Sequence, residues 1–379
     1  MSPGMQSEAK PDGRYSRRQN PRQGEGRRGS DLDRVEWVDY AKGICIILVV
    51  TLYATHHVHQ LTHATGWMQH VVDFAQPFRM PDFFLISGLF VSRVIDRPLR
   101  SYIDTKILHF VYFYALWVTF RFTYTDLRHV LDADKLAVLS GYLHLYVQPP
   151  DGPLWFIYIL SLFFLAVRLL RRVPAPLVLA GAAALQVANF NTGLLLFDKF
   201  THYFVFFYSG HVFARHVLGA AAWAQSRAVA TVATLAVWSL VNWTLVDHGF
   251  ATRPGVSLLM GYAGAFAVLL LATLLSRVRW THWLRYLGQH SIVVYLGFVL
   301  PLALMRGLIS KRLIIHDIGN LALTVTVVSV AGAMMLYWMV RNTPLRFLFA
   351  RPVWAAIQAR TVSLPRPAGE RATLNQAGE

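Results

Sequence analysis

The sequence predicts an all-α, polytopic membrane protein with about ten transmembrane helices. Hydrophobic residues make up 55% of its 379 residues and charged residues only 15%, whereas a soluble domain usually carries about 25% charged residues. The apolar residues are grouped in windows of about 20, the length that a helix needs to cross the hydrocarbon core of a bilayer. These windows recur between Ile44 and Val340, so the chain has too little polar surface for a water-soluble globule.

The apolar windows define the predicted spans to within a few residues each. Proline marks two of the boundaries, since Pro153 opens the fourth span and Pro174 the fifth, and proline is tolerated in the first turn of a helix. The predicted spans are 37–55, 77–95, 105–123, 153–170, 174–190, 200–217, 227–246, 255–275, 286–306 and 319–340.

The charges between the spans predict that both termini are cytoplasmic. The formal net charge is +16, from 36 Lys and Arg against 20 Asp and Glu, and positively charged loops resist translocation. Basic residues follow the even-numbered spans and the last one: Arg93, Arg97, Arg100, Lys106, Arg168, Arg171, Arg172, Arg215, Arg227, Arg277, Arg279, Arg285, Arg341, Arg346 and Arg351. The opposite loops carry mainly histidine and acidic residues, except the loop with Arg306, Lys311 and Arg312.

The same charge distribution argues against a nucleic-acid partner. The basic residues lie between apolar windows and in the tails, whereas a nucleic-acid-binding protein gathers them on one face. We expect them to hold the cytoplasmic loops near anionic membrane lipid.

Three segments follow from composition. Residues 1–34 are polar and rich in Arg, Gly, Ser and Pro, which predicts a disordered basic cytoplasmic tail and does not fit a cleaved signal peptide. Residues 35–342 form the transmembrane domain. Residues 343–379 form a cytoplasmic tail, in which 345–357 mix aromatic residues with arginine and predict an interfacial segment.

The one cysteine, Cys45, lies in the first span and has no Cys/His spacing around it, so no metal site is expected.

Polar residues in the first span form a stripe along one face of the helix. Lys42 and Tyr53 are eleven residues apart, nearly three full turns, which places them on one stripe about 16 Å apart. His56 and His57 continue this stripe, and Asp39 can pair with Lys42 one turn away. Charges in a span usually face a protein interior or a wet cavity. The alternative is that Lys42 extends to the lipid headgroups and the histidines lie in a solvated loop.

The second span contains an arginine, an aspartate and two prolines within six residues, in the segment 77–82. The planar guanidinium of Arg79 can hold a phosphate, a carboxylate or a carbonyl oxygen, and Asp82 is placed to orient it. The alternative is a buried structural ion pair. We predict that Lys42 and Arg79 face one common cavity.

Weaker signals come from aromatic and hydroxyl side chains near span ends. Trp155 and Tyr158 lie at an outer boundary, where a sugar-stacking platform and an interfacial aromatic belt explain them equally well. Tyr208 lies near the cytoplasmic end of the sixth span, and Tyr295 lies in the ninth.

Four segments, taken together, resemble the acyltransferase-3 family of integral membrane O-acyltransferases. They are "DYAKGICIILVV" at 39–50, "RMPDFFLISGLF" at 79–90, "GPLWFIYIL" at 152–160 and "LGQHSIVVYL" at 287–296, in the order expected of the family. The resemblance extends from about residue 34 to 350. It implies transfer of an acyl group, commonly acetyl, from cytoplasmic acyl-CoA to a hydroxyl of an extracytoplasmic glycan or lipid-linked acceptor. It also implies a multi-pass protein of the bacterial cytoplasmic membrane that needs no cofactor besides its co-substrate acyl-CoA.

The resemblance assigns roles to particular residues. The catalytic candidates are Lys42, Tyr53, His56, His57 and Arg79. The substrate-binding candidates are Asp39, Asp82, Phe84, Ser87, Trp155, Tyr158, Tyr208 and Tyr295.

The sequence departs from the family pattern at the most important position. The first helix of the family normally carries a basic residue, usually Arg, and a His eleven positions later, whereas this chain has Lys42 and Tyr53. A phenol with an ordinary pKa near 10 is a poor general base at neutral pH, and loss of a general base costs about 10²–10⁴-fold in rate. His56 or His57 is placed to take over the role. The ninth span also has Gly297 and Phe298 where many members have a His.

Three functional hypotheses therefore remain open at this point. The first is a membrane O-acyltransferase. The second is a translocator of an acyl or glycan substrate, which would bind with the same polar residues without chemistry. The third is a non-catalytic descendant of the family, which the tyrosine at position 53 motivates.

Overall fold

Helices are the regular elements of the parts of the chain that the structure describes. The computed structural model describes residues 36–130, 135–149, 152–311 and 316–357, and these ranges contain no β-strand. The all-α prediction is confirmed there. The predicted disordered tail at 1–34 and the last part of the C-terminal tail, 358–379, lie outside the described residues.

The helices differ widely in length, from four residues to 27. In chain order they are α1 (Glu36–Thr62), α2 (Met68–Ala75), α3 (Arg79–Gly88), α4 (Leu99–Tyr102), a π-helical turn π1 (Ile103–Leu108), α5 (His109–Val130), α6 (Lys135–Val147), α7 (Trp155–Leu169), α8 (Ala175–Ala188), α9 (Leu195–Val212), α10 (Ala214–Ser226), α11 (Ala228–Asp247), α12 (Val256–Leu275), α13 (His282–Gln289), α14 (Ser291–Gly297), α15 (Val299–Lys311) and α16 (Ile318–Val340). Two 3₁₀ turns, Pro344–Leu348 and Val353–Ala355, follow α16.

Four of these helices are long and apolar enough to cross a membrane. They are α1, α11, α12 and α16, with mean hydropathy between 1.6 and 2.2 in their most apolar windows. A fifth span is possible if Arg279–Gln289 and Ser291–Gly307, which are bent by 64° at a short break, count as one. Several apolar helices therefore support a polytopic membrane protein. The total of ten spans and the cytoplasmic termini stay predictions.

The second predicted span, 77–95, differs most from its helix. Only the ten residues of α3 are helical, and turns occupy 89–97. The physical reason is the composition of the segment, since Pro81 lies in the first turn of α3 and the charged Arg79 and Asp82 are both buried. A helix with these residues is stable inside the protein, where packing replaces lipid contact.

Close backbone packing holds α3 in the core. A side-chain carbon at Gly88 would overlap the backbone oxygen of Phe207 on α9, and one at Gly210 would overlap the backbone oxygen of Leu85. Small residues let two helix backbones approach without side chains between them. The two glycines therefore position α3, with its buried charges, against α9.

A second glycine contact joins the beginning of α1 to α13. A side-chain carbon at Gly288 would overlap the backbone oxygen of Asp39, and one at Gly43 would overlap that of Leu284. Beside this contact, the Gln289 amide donates a 3.2 Å hydrogen bond to the buried carboxylate of Asp39. The first and fourth sequence motifs, 250 residues apart in the chain, thus meet directly.

The segment after α16 is anchored against α5 and π1. The Tyr112 hydroxyl and the Trp117 indole donate 3.1 Å hydrogen bonds to the carbonyls of Phe347 and Leu348. The Arg351 guanidinium forms an ion pair with Asp104, whose carboxylate also accepts a 2.9 Å bond from the Ile357 N–H. The described part of the C-terminal tail is therefore docked on the helices. Its predicted contact with the lipid interface stays a prediction.

Replacing Gly288 with alanine is expected to destabilise the protein. The added carbon overlaps the Asp39 carbonyl, and overpacking of a tight site costs about 1–3 kcal/mol. Thermal unfolding in detergent should show a lower Tm for Gly288→Ala. The matched control is Gly219→Ala on α10, because that position has open space around it and alanine is the better helix former. Equal Tm values for both variants would contradict the close α1–α13 contact.

Candidate active site

A cavity of about 190 Å³ lies where α1, α3, α7, α9 and α14 meet. All four motif segments contribute to its wall, through residues as far apart in the chain as Val49 and Tyr295. The lining residues are Val49, Leu52, Tyr53, Arg79, Met80, Phe83, Pro153, Trp155, Phe156, Lys199, Tyr203 and Tyr295. We call this space the central cavity. Most of its lining is apolar or aromatic, with two cations, which is the usual character of a small-molecule site.

Arg79 supplies the central cavity with free hydrogen-bond donors. Its side chain is 7% exposed, and Nε and Nη1 have no hydrogen-bond partner among the described residues. A buried polar group without a partner costs about 1–3 kcal/mol, more when it is charged. Such a group in a cavity is arranged for a ligand that supplies the missing acceptor.

Asp82 does not pair with Arg79. Its carboxylate accepts a hydrogen bond from the Cys45 thiol on α1, and its second oxygen, Oδ1, has no partner among the described residues. The predicted orienting contact and the alternative ion pair are therefore both absent from this arrangement. The reason is the direction of the side chains, since Asp82 points towards Cys45 of α1, whereas Arg79 lines the central cavity.

An aromatic wall faces the two cations. The rings of Trp155 and Tyr203 stack with centroids 5.9 Å apart and an interplanar angle of 20°. Lys199 Nζ lies 5.3 Å from the Trp155 ring centroid, within cation–π range. Phe84, a predicted binding residue, packs behind the wall at 5.2 Å from the Tyr203 ring. A flat aromatic surface beside a cation fits a polar ring or an acyl group.

Two tyrosines of the cavity have different surroundings. The Tyr295 hydroxyl donates to the carbonyl of Pro153, so it holds the turn before α7 in place. Tyr53 packs its ring 5.6 Å from that of Phe298 and interacts electrostatically with Arg79. The phenol of Tyr53 is thus next to the guanidinium that has free donors.

The two histidines beyond Tyr53 lie on α1, which extends to Thr62, but neither lines the central cavity. His56 is exposed, and its Nε2 lies 2.9 Å from the Gln60 amide. His57 is partly buried, and its Nε2 has no hydrogen-bond partner among the described residues. His57 interacts electrostatically with Arg306 of α15, on the side of α1 where Tyr53 meets Phe298. Of the two imidazoles, His57 shares the face of Tyr53.

Lys42 does not line the cavity that contains Arg79, so the expectation of one common cavity is not met. Lys42 is partly buried, three turns from Tyr53, and interacts electrostatically with Lys106 and with the buried Cys45. The residues of α1 that line the cavity are Val49, Leu52 and Tyr53, so the cavity does not extend along the roughly 16 Å from Tyr53 to Lys42. Asp39, another predicted binding residue, is buried against Gln289 at the same end.

Three further predicted binding residues point elsewhere. Ser87 donates a 2.8 Å hydrogen bond to the Phe83 carbonyl on its own helix. Tyr158 donates to the Tyr146 carbonyl at 3.0 Å. Tyr208 lines a separate cavity of about 470 Å³. Of the predicted residues, Tyr53, Arg79, Trp155 and Tyr295 are brought together, with Phe84 behind them.

Lys199 and Tyr203 are cavity residues that the sequence did not reveal. Both lie on α9, which begins at Leu195, whereas the predicted sixth span begins at residue 200 and leaves Lys199 in a loop. The available signal was their spacing, because residues four apart lie on one helix face. That spacing gains meaning only once residue 199 is known to be helical.

The fold and the cavity define a class of protein: an integral membrane protein with a polar, aromatic-lined site among its helices. A family model described as an acyltransferase domain matches residues 35–340, so the chain belongs to the acyltransferase-3 family. It is also similar to the inner membrane protein YcfT of Escherichia coli strain K12, with 28% identity over 163 residues. That alignment covers 37% of this chain and 45% of the relative. No solved structure matches the chain.

The Cys45–Asp82 contact predicts an order of stabilities. Cys45→Ser keeps a donor for the buried carboxylate, whereas Cys45→Ala removes it and leaves both oxygens of Asp82 unpaired, at a cost of about 1–3 kcal/mol. Thermal unfolding should rank the wild type and Cys45→Ser above Cys45→Ala. Adding Asp82→Ala to Cys45→Ala should lower Tm by less than the two single changes together. Strict additivity would mean that the two side chains do not interact.

Proposed function

We propose that the central cavity is the acyl-transfer centre of a membrane O-acyltransferase. The enzyme takes an acyl group, acetyl in the simplest case, from cytoplasmic acyl-CoA and passes it to a hydroxyl of an extracytoplasmic glycan or lipid-linked acceptor. It acts in a bacterial cytoplasmic membrane. One observation carries the proposal: four motif segments of an acyltransferase family converge on one cavity that contains a buried arginine with free donors.

The reaction forms one ester bond and breaks one thioester bond. The acceptor oxygen attacks the carbonyl carbon, the carbon–sulfur bond breaks, and the hydroxyl proton finally resides on the released CoA thiol. Negative charge develops on the carbonyl oxygen in the transition state. Arg79 offers Nε and Nη1 to this oxygen. Donors of this kind are preorganised in a site with little water, and removing one typically costs about 10²–10³ in kcat.

Tyr53 and His57 move the acceptor proton. Tyr53 lies in the cavity beside Arg79, where its hydroxyl can donate to and accept from an acceptor hydroxyl. His57 follows one turn later on the same helix face, and its Nε2 is not bonded to Tyr53 or to any other described residue, so it is available to accept a proton. We therefore assign the base to His57, acting through the Tyr53 hydroxyl. This two-group relay replaces the single imidazole that the family normally carries at position 53.

The two sides of the cavity bind the two substrates. The Trp155–Tyr203 wall with Lys199 holds the acceptor, since an aromatic face and a cation suit a sugar or an anionic glycan. The donor approaches from the end of α1 that carries Lys42, beside Lys106. Acyl-CoA phosphates are attracted to these cations.

Arg79 variants test the proposed centre. Purified protein is given radiolabelled acetyl-CoA and a membrane glycan fraction, and labelled acceptor is counted. Arg79→Ala is expected to lower kcat by about 10²–10³, and Arg79→Lys to recover only part of it because the ammonium lacks the planar fork of donors. The control is His59→Ala, an exposed side chain on α1 outside the cavity. Full activity of Arg79→Ala would remove the proposed role.

A second set of variants tests the proton relay. His57→Ala and Tyr53→Phe should each lower kcat by about 10²-fold or more, whereas loss of activity in His56→Ala instead would assign the base to the exposed imidazole. Tyr53→His restores the family residue and should remain active without His57. Wild-type inactivity combined with activity of Tyr53→His would identify a non-catalytic descendant. Substrate binding without transfer by either protein would favour a translocator.

A further inference from the structure

We propose that a second cavity, formed by the end of α16 and the segment after it, binds the phosphate-bearing adenine nucleotide portion of the acyl-CoA donor. The identity of the donor rests on the proposed function. This C-terminal cavity has a volume of about 540 Å³, against about 190 Å³ for the central cavity, and falls in the usual range for a small-molecule site, about 300–1,000 Å³. The lining residues that matter here are Tyr337, Arg341, Arg346, Phe347, Arg351 and Trp354.

Three arginines and no acidic residue line the described wall of this cavity. Arg351 is partly neutralised by Asp104. Arg341 and Arg346 are exposed, and neither guanidinium forms a hydrogen bond or an ion pair with another described residue. Guanidinium groups bind phosphate oxygens through two parallel hydrogen bonds. The net charge of the wall therefore suits a ligand with more than one phosphate group.

Aromatic side chains stand beside these cations. Tyr337 and Phe347 line the cavity, and Trp354 lines it while 81% of its surface is exposed. A nucleotide base stacks favourably on an aromatic face. Arginines alone would suit any phosphate, but arginines with open aromatic faces suit a phosphate attached to a planar ring. This combination favours a nucleotide over inorganic phosphate.

The cavity wall is held in place without a ligand. Hydrogen bonds from Tyr112 and Trp117 fix the carbonyls of Phe347 and Leu348, each at 3.1 Å. Phe349, 7% exposed, packs between Trp117 and Tyr337 at centroid distances of 5.9 and 6.0 Å. A preformed site loses less conformational entropy on binding than a mobile segment does.

One contact connects the C-terminal cavity with the acyl-transfer centre, and one electrostatic interaction connects it with the Lys42 end of α1. Phe349 lies 3.4 Å from the position of a side-chain carbon at Gly297 of α14, the helix that also carries Tyr295 into the central cavity. Asp104, which holds Arg351, is two residues before Lys106, and Lys106 interacts electrostatically with Lys42. A nucleotide in the C-terminal cavity would therefore lie on the side of the protein that carries Lys42 and Lys106, and its thioester arm could follow α14 towards the central cavity.

The direct test is binding of adenosine 3′,5′-bisphosphate, the nucleotide end of CoA, to the full chain in phosphatidylcholine nanodiscs. Each of Arg341→Ala and Arg346→Ala is expected to raise Kd about tenfold, because each change removes charge-assisted hydrogen bonds to a phosphate. Trp354→Ala should raise Kd several-fold. Arg215→Ala, an exposed arginine on α10 that does not line the cavity, is the matched control. Unchanged Kd in the arginine variants, or no binding by the wild type, overturns the proposal.

A second arm distinguishes a lipid ligand. Nanodiscs with added phosphatidylglycerol should leave nucleotide affinity almost unchanged. If phosphatidylglycerol displaces the nucleotide, or if the arginine variants lose bound phosphatidylglycerol but keep the nucleotide, the site belongs to an anionic headgroup and the nucleotide proposal is wrong. Chromatographic profile and Tm of each variant, compared with the wild type, exclude misfolding as the cause of lost binding.

The transfer assay separates this site from the proposed function. If the wild type transfers acetyl groups and the arginine variants keep the same KM for acetyl-CoA, the acyltransferase stands and the nucleotide site falls. Arginine-dependent nucleotide binding by a wild type that transfers nothing would keep the site and remove the enzyme. Higher KM with unchanged kcat in Arg346→Ala is the expected result, because the nucleotide does not take part in the bond changes.

Discussion

The fold depends on the burial of charged side chains in a protein whose other surroundings are apolar. Arg79 and Asp82 lie on a ten-residue helix that is too short to cross a bilayer and too polar to face lipid. They are kept inside because α9 approaches α3 backbone to backbone at Gly88 and Gly210. The aromatic residues of α7 and α9 then close around the helix. Without that contact, the guanidinium would have no enclosed position in the protein.

Long apolar segments were predictable from the sequence because their length is set by the membrane. Helices α1, α11, α12 and α16 agree with predicted spans within a few residues at most boundaries. The second and ninth predicted spans do not agree with the helices. In place of the second span there is the short helix α3, and in place of the ninth there are the bent helices α13 to α15. In both cases the tertiary contacts of buried polar groups and glycines decide the backbone, and a hydropathy window does not contain them.

The dependence on tertiary contacts also explains which site residues were predictable from the sequence. Tyr53, Arg79, Trp155 and Tyr295 stand out in the sequence as polar or amphipathic groups within apolar motifs, and all four reach the central cavity. Helical spacing placed Lys42 on the stripe of Tyr53, yet spacing carries no information about the size of a cavity. Asp82 shows a further limit, because its partner, Cys45, is 37 residues away in the chain and no spacing rule connects the two. The tyrosine at position 53, where the family resemblance implies a histidine, is visible in the sequence, but its chemical consequence depends on neighbours that only the structure supplies.

The backbone contacts at Gly288 and Gly88 also restrict how the molecule can move. They fasten α1 to α13 and α3 to α9, and these pairs include three of the five helices around the central cavity. A rocking motion like that of alternating-access carriers would have to separate helices that pack backbone to backbone. In the proposed reaction, the two substrates would therefore meet between helices that keep their positions. Only the acyl group would then have to pass from the donor side to the acceptor side of the protein.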